Sequence, residues 1–141
     1  MAGQPTLLGW LVFDVTDLTV SDNTIQQGDS FDINATFTGD GAIWALLEMI
    51  SDIVGPGIVT ATAQFSAEGM GANAPEYDLG NVPVNLTAGG SPYTATLTVD
   101  TSAAPTDMQE GVYRIQCLVQ LLSSAIMGFY DGDLLASVFA P

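Results

Sequence analysis

The sequence predicts an all-β domain: two antiparallel sheets packed face to face, about seven strands in all, in a single domain over residues 1–141. Three observations predict it. Apolar and polar residues alternate with period two in four separate runs, the pattern of half-buried strands. Glycine-, proline- and aspartate-bearing turns punctuate the gaps between those runs. Strands do not alternate with helical segments, so short antiparallel strands in a sandwich are the consistent arrangement.

The elements follow in chain order. Leu7–Val20 reads as a first strand region whose opening, Leu7-Leu8-Gly9-Trp10-Leu11-Val12-Phe13, is apolar on both faces. Phe31, Ile33, Ala35 and Phe37 alternate with Asp32, Asn34, Thr36 and Thr38. Val59, Ala61, Ala63 and Phe65 alternate with Thr60, Thr62, Gln64 and Ser66, and Tyr77–Leu86 forms a weaker strand behind them. Tyr93, Ala95, Leu97 and Val99 alternate with threonines, and Tyr113, Ile115, Cys117 and Val119 with Arg114, Gln116, Leu118 and Gln120. Ala125–Phe139 supplies the last strand region. Between them lie the turns Gln27-Gly28-Asp29, Gly39-Asp40-Gly41, Gly55-Pro56-Gly57, Gly89-Gly90-Ser91-Pro92 and Glu110-Gly111.

One segment departs from period two. Ala42–Val54 sets Ile43, Leu46, Leu47, Ile50, Ile53 and Val54 at helical spacing, with Glu48, Ser51 and Asp52 nearly opposite. It reads as a short amphipathic helix, or a thick loop, with its apolar side inward. A buried strand is the alternative, because short apolar runs are ambiguous by period alone.

Composition bounds the function. Apolar residues make up 48% of the 141 and charged ones only 12%, which excludes a disordered chain and allows one real core. There are 16 acids against one cation, Arg114, with neither lysine nor histidine, for a net charge of −15. Nucleic acid is excluded as a partner, since phosphates need cations to neutralise them. The expected partners are a cationic or neutral molecule, a divalent cation, or a second copy of the chain. Insertion into a membrane is not expected, because Ala42–Val59 is broken by Glu48, Asp52, Gly55, Pro56 and Gly57. The N-terminus lacks the basic stretch of a secretory signal. Arg114, expected inside a strand, is the one site for trypsin-like cleavage, which suits an extracellular or cell-surface setting.

Two stretches carry a resemblance. Leu18-Thr19-Val20-Ser21-Asp22, followed by Ile25-Gln26-Gln27-Gly28-Asp29-Ser30-Phe31-Asp32-Ile33, resembles the opening of immunoglobulin-like β-sandwiches of bacterial and archaeal surface proteins. Gln109-Glu110-Gly111-Val112-Tyr113 resembles the tyrosine corner that leads into the sixth strand of that fold, with Gln109 where an aspartate often stands. The resemblance spans Leu18–Val119 and implies an immunoglobulin-like sandwich with a habit of binding. It carries over no functional residue. Cys117 is the one cysteine, so the inter-sheet disulfide of antibody domains is absent; its apolar run marks a buried, inert thiol.

Catalysis is not expected: without histidine or lysine the acid–base repertoire reduces to carboxylates, and Glu48, Glu68, Glu76 and Glu110 are scattered. No cofactor is expected. Calcium is the one metal the ligand chemistry admits, with Asp131 and Asp133 of Tyr130-Asp131-Gly132-Asp133 as candidate ligands and Asp14, Asp17, Asp22, Asp29 and Asp40 as a second group. Those aspartates also read as ordinary turn formers. The two-sided apolar strands point to self-association into an oligomer or filament, through Trp10, Leu11, Phe13, Leu118, Leu134 and Phe139. The rival expectation is a monomeric module for a carbohydrate or protein ligand, using Tyr77, Tyr93 or Tyr130 as a stacking platform.

Overall fold

Alternation along each run turns into a division of labour between two sheets. A computed structural model describes residues 6–7, 12–55, 59–71, 74–121, 126–130 and 134–141. Among the described residues are ten strands and one helix: β1 (Thr6–Leu7), β2 (Val12–Val20), β3 (Thr24–Gln26), β4 (Ser30–Asp40), α1 (Ala42–Val54), β5 (Thr60–Gly69), β6 (Glu76–Asn85), β7 (Tyr93–Asp100), β8 (Gly111–Leu121), β9 (Ile126–Tyr130) and β10 (Leu135–Phe139). The excess over seven comes from short pieces. The first region divides into β1 and β2, β3 is a three-residue strand, and the last region divides into β9 and β10.

One sheet runs β1-β2-β4-β7 and the other β3-β10-β8-β5-β6, with β9 also on β8. All pairs are antiparallel except β3 with β10. Strand β8 is central: β5 lines one side from Gly69↔Tyr113 to Ala61↔Leu121. On its other side β10 covers Gly111–Arg114 and β9 covers Cys117–Leu121. With β4 beside β7 in one sheet and β5, β8 and β10 in the other, this is the strand order of an immunoglobulin-like sandwich.

The inward sets form the core. Phe31, Ile33, Ala35 and Phe37 face Ala61, Ala63, Phe65, Ala67, Ile115, Cys117, Val119 and Leu121, all buried. Burying each large apolar side chain contributes about 1.5–3 kcal/mol, and the alanines of β5 leave room for the rings opposite. At the entrance to β8, Tyr113 donates its hydroxyl hydrogen to the Gln109 carbonyl at 2.7 Å, so the tyrosine corner is formed. Tyr77 packs edge-on against Tyr113 at 5.8 Å and accepts the Gln109 N–H at 3.0 Å.

The two outer faces differ in chemistry. On the first sheet Thr98 donates to Asp32 and Thr96 to Asn34, both at 2.6 Å; that face is wet. The second sheet also presents hydroxyls and amides on β5, but Leu118, Phe129, Leu135 and Phe139 stand among them.

Segment 42–54 is a helix, and it is rotated from expectation: Ile43, Leu47 and Ile50 pack half-buried against the core, while Leu46, Ile53 and Val54 face outward. Its buried residues are Trp44, Glu48 and Ser51. Trp44 offers the largest apolar area in the segment, and one tryptophan burial outweighs several half-buried aliphatics. Placing Trp44 inward carries Glu48 and Ser51, four and seven residues on, to the same side of the helix.

Candidate interaction surfaces

Helix α1 is held by an aromatic seat at one end of the sandwich. Trp44 stacks on Phe13 at 5.5 Å and meets Tyr93 edge-on at 6.3 Å, while Phe37 stacks on Tyr93 at 5.3 Å. Gly39 makes the approach possible, because a Cβ there would lie 1.9 Å from the indole. Glu48, 7% exposed, accepts a very short hydrogen bond from the Tyr93 hydroxyl. The same phenol oxygen accepts the Thr87 N–H at 3.1 Å and lies 2.8 Å from the Thr87 carbonyl. Burial, and then the Glu48 bond, push the Tyr93 phenol up to about 12. Asp52 accepts the Ala88 N–H at 3.4 Å and fixes the last turn to the same loop.

Turning Trp44 inward leaves aliphatic side chains outward. Leu46 is 48% exposed, Met49 48%, Ile53 76% and Val54 63%. Leu46, Met49 and Ile53 follow at i, i+3 and i+7 along one side of the helix, with Val54 at its flank. Asp52 is the one charged residue beside them, because Glu48 is buried.

A second apolar surface lies on the outer face of the larger sheet. Leu118 pairs across with Gln64 on β5 and Phe129 on β9. Leu135 pairs with Arg114, and Phe139 with Gln26. Phe129, Leu135, Phe139 and Val112 are exposed. Among the described residues, the β8, β9 and β10 part of this face carries no acid, and Arg114 is its one charge. Acids begin further over, where Glu68 stands opposite Arg114 on one side and Glu76 on the other. Beside this strip Gln64, Ser66, Asp78, Asn81, Leu118 and Phe129 border a depression of about 310 Å³. It sits where β6 has an extra residue opposite Phe65 and Ser66, with Gly80 at φ 133°, a local bend of the kind bulges produce.

The sequence-derived interface residues separate. Leu118 and Phe139 stand on the outer face of the larger sheet, and Leu134 is half-buried against the core. Phe13 is fully buried in the Trp44 seat and is a core residue, a correction that follows from the inward turn of β2 at that position. Trp10 and Leu11 lie outside the described residues, as do the calcium candidates Asp131 and Asp133. Three of the other aspartates act locally: Asp22 accepts the Thr24 N–H, Asp17 the Leu18 N–H and Asp40 the Gly41 N–H. Among the described residues no three metal-ligating side chains come together. Of the stacking platform, Tyr93 is buried and Tyr77 is engaged in the tyrosine corner, while Tyr130 is half-buried on β9. The exposed face of α1 was missed, although the signal was present: burying Trp44 sets the rotation of the helix, which keeps Ile43, Leu47 and Ile50 against the core and leaves Leu46, Met49 and Ile53 outside.

No helix among the described residues is long and apolar enough to cross a membrane. No family model matches the chain, and no curated protein sequence does. Among solved structures it is similar to a β-glucosidase from Erythrobacter marinus, at 11% identity and TM-score 0.49 over 92% of this chain and 16% of that one. It is similar to a β-glucosidase from Listeria innocua in complex with isofagomine, at 16% identity and TM-score 0.47, over 93% of this chain and 16% of that one. It is also similar to the CARDB domain of a Pyrococcus furiosus protein in complex with di-metal ions, at 17% identity and TM-score 0.44, over 96% of this chain and 100% of that one. The chain thus spans about one sixth of the length of either glucosidase, and at these identities and TM-scores neither substrate nor metal is carried across.

Proposed function

We propose that this chain is a non-catalytic interaction domain that associates with further copies of itself into an oligomer or filament. The observation that carries the reading is the outward face of α1, where Leu46, Met49, Ile53 and Val54 meet solvent. A helix normally turns its apolar stripe to its own core, and contiguous exposed apolar surface marks an interface. Leu118, Leu134 and Phe139 on the larger sheet belong to the same reading, as do Trp10 and Leu11. Copies carrying −15 repel one another, so apolar burial must dominate and added salt strengthens association. In this reading Asp131 and Asp133 hold calcium as an aid to assembly.

Solution mass by light scattering, across salt and with calcium against chelator, tests the proposal. Multimers that persist in chelator and grow with salt are the expected result. Multimers that vanish in chelator would move the contact to the aspartates. A monomer under every condition would overturn the proposal.

The depression beside Phe129 favours a second reading, a monomeric module for a neutral hydrogen-bonding ligand such as a carbohydrate. Its border combines amides, a hydroxyl, the Asp78 carboxylate and one exposed aromatic ring, the mixture that fixes small polar ligands. Retention on a polysaccharide column that Phe129→Ala abolishes would support it.

A further inference from the structure

We infer that the contact is head-to-tail: the outward face of α1 on one copy docks on the β8–β9–β10 strip of the next. This rests on the self-association proposed above and specifies which surfaces meet.

Two observations lead to it. The chain presents two separate apolar surfaces, one on α1 and one on the outer face of the larger sheet, built from different residues. Each carries one charge among the described residues, and the charges are opposite: Asp52 beside the helix stripe and Arg114 in the strip. Asp52 is exposed. Arg114 is half-buried, and its Nε is buried with no partner.

Symmetry decides between the pairings. A two-fold contact joins a patch to itself. Helix on helix would bring Asp52 into one interface with Asp52, and strip on strip would bring Arg114 into one interface with Arg114. Helix on strip is the pairing that puts the acid and the cation on opposite sides. It also meets the repulsion between acidic copies, since both surfaces are nearly free of acid while turns and strand ends elsewhere carry Asp22, Asp40 and Asp100. A cationic partner would be drawn to those acidic turns; a like-charged copy can approach closely only where acid is scarce. A contact between unlike patches leaves one of each unused on every pair, so it propagates into a ring or an open filament.

The test uses two single variants of the whole chain and their mixture. Ile53→Asp disables the helix face, and Phe129→Asp disables the strip. Both positions are exposed, and circular dichroism checks that the fold is kept; Leu135→Asp replaces Phe129→Asp if that variant unfolds. Each variant alone is expected to be monomeric at concentrations where the wild type assembles, with association at least about tenfold weaker, since a charge buried in an apolar contact costs more than the 1.4 kcal/mol of one decade. An equimolar mixture is expected to form pairs of one copy of each and to stop there, because each pair has one intact contact and two disabled ends. Either variant dimerising by itself would overturn the inference in favour of a two-fold contact. A mixture that stays monomeric beside an assembling wild type would overturn it too, while leaving self-association standing. A wild type that never assembles defeats the underlying proposal instead.

Discussion

Tyr93 gives its hydroxyl hydrogen to Glu48 across the gap between β7 and α1, in a site from which solvent is nearly excluded. The phenol has one hydrogen and two acceptors in reach, the Glu48 carboxyl and the Thr87 carbonyl. A side chain that could donate to the phenol oxygen would release that hydrogen to Thr87. Glu48→Gln supplies such a donor, so its stability should match the wild type within about 0.5 kcal/mol. Tyr93→Phe strands the Glu48 carboxyl and the Thr87 N–H, while the Thr87 carbonyl keeps the Gly90 N–H at 3.0 Å, and should cost about 2 kcal/mol, the penalty for buried unsatisfied groups. Urea unfolding of the two variants measures this; equal losses would show that the site is held by packing alone.

Gly39 and Trp44 form a second, purely steric pair. A methyl group on Gly39 would overlap the indole, and the seat around it, Phe13, Phe37 and Tyr93, is closed. Gly39→Ala should therefore destabilise by about 1–3 kcal/mol through overpacking. Trp44→Ala empties the seat and should cost about 3–5 kcal/mol. Together the two changes should cost less than their sum, because alanine at 44 removes the clash. Full additivity would place the indole elsewhere.

The sheets were legible because a strand's period is a short-range property. Each inward set, such as Phe31, Ile33, Ala35 and Phe37, follows from its own neighbours. The tyrosine corner was legible for the same reason, since Tyr113 and Gln109 are four residues apart. What failed was long-range. The orientation of α1 depends on a seat assembled from Phe13, Phe37, Gly39 and Tyr93; the aliphatic pattern placed Ile43, Leu47 and Ile50 on the core side but also Leu46, Ile53 and Val54, which the tryptophan turns outward. Phe13 reads as surface in an apolar run and is core for the same reason: its partner lies on α1.

Alkaline pH should unfold the domain in a definite window. Burial raises the Tyr93 and Tyr113 phenols from 10.0 to about 12 and the Cys117 thiol from 9.0 to about 12. A group whose folded value is raised keeps its full contribution below its unfolded value. That contribution is lost as pH climbs through the folded one, because the unfolded chain releases the proton first. Stability should thus fall from about pH 9, where the unfolded thiol ionises, and more steeply between about 10 and 12 as the phenols follow. Absorbance at the phenolate band should show Tyr93 and Tyr113 titrating late. Below pH 9 the native thiol should react with a disulfide reagent about a thousandfold more slowly than the unfolded one, three units being three decades of thiolate. Rapid native labelling would place Cys117 outside the core.

Asp14 should behave in the same sense, at lower pH. It stands on the outer face of β2 opposite Thr38, half-buried, with Oδ1 shielded from water and without a partner. Loss of solvation holds its carboxyl above the usual carboxylate range. The folded chain therefore binds this proton more tightly than the unfolded chain. At neutral pH the charged form weakens the fold, and protonation relieves it as pH falls through the raised value. Asp14→Asn keeps the shape and removes the charge, so it should stabilise at pH 7 by roughly 0.5 kcal/mol, the scale for a partly exposed charge. The gain should shrink toward zero at about pH 3, where the wild-type carboxyl is itself protonated. Urea midpoints for both proteins at the two pH values decide the matter: a gain that is the same at both would come from the amide's hydrogen bonds, and a loss at pH 7 would mean that the carboxylate is held by a partner.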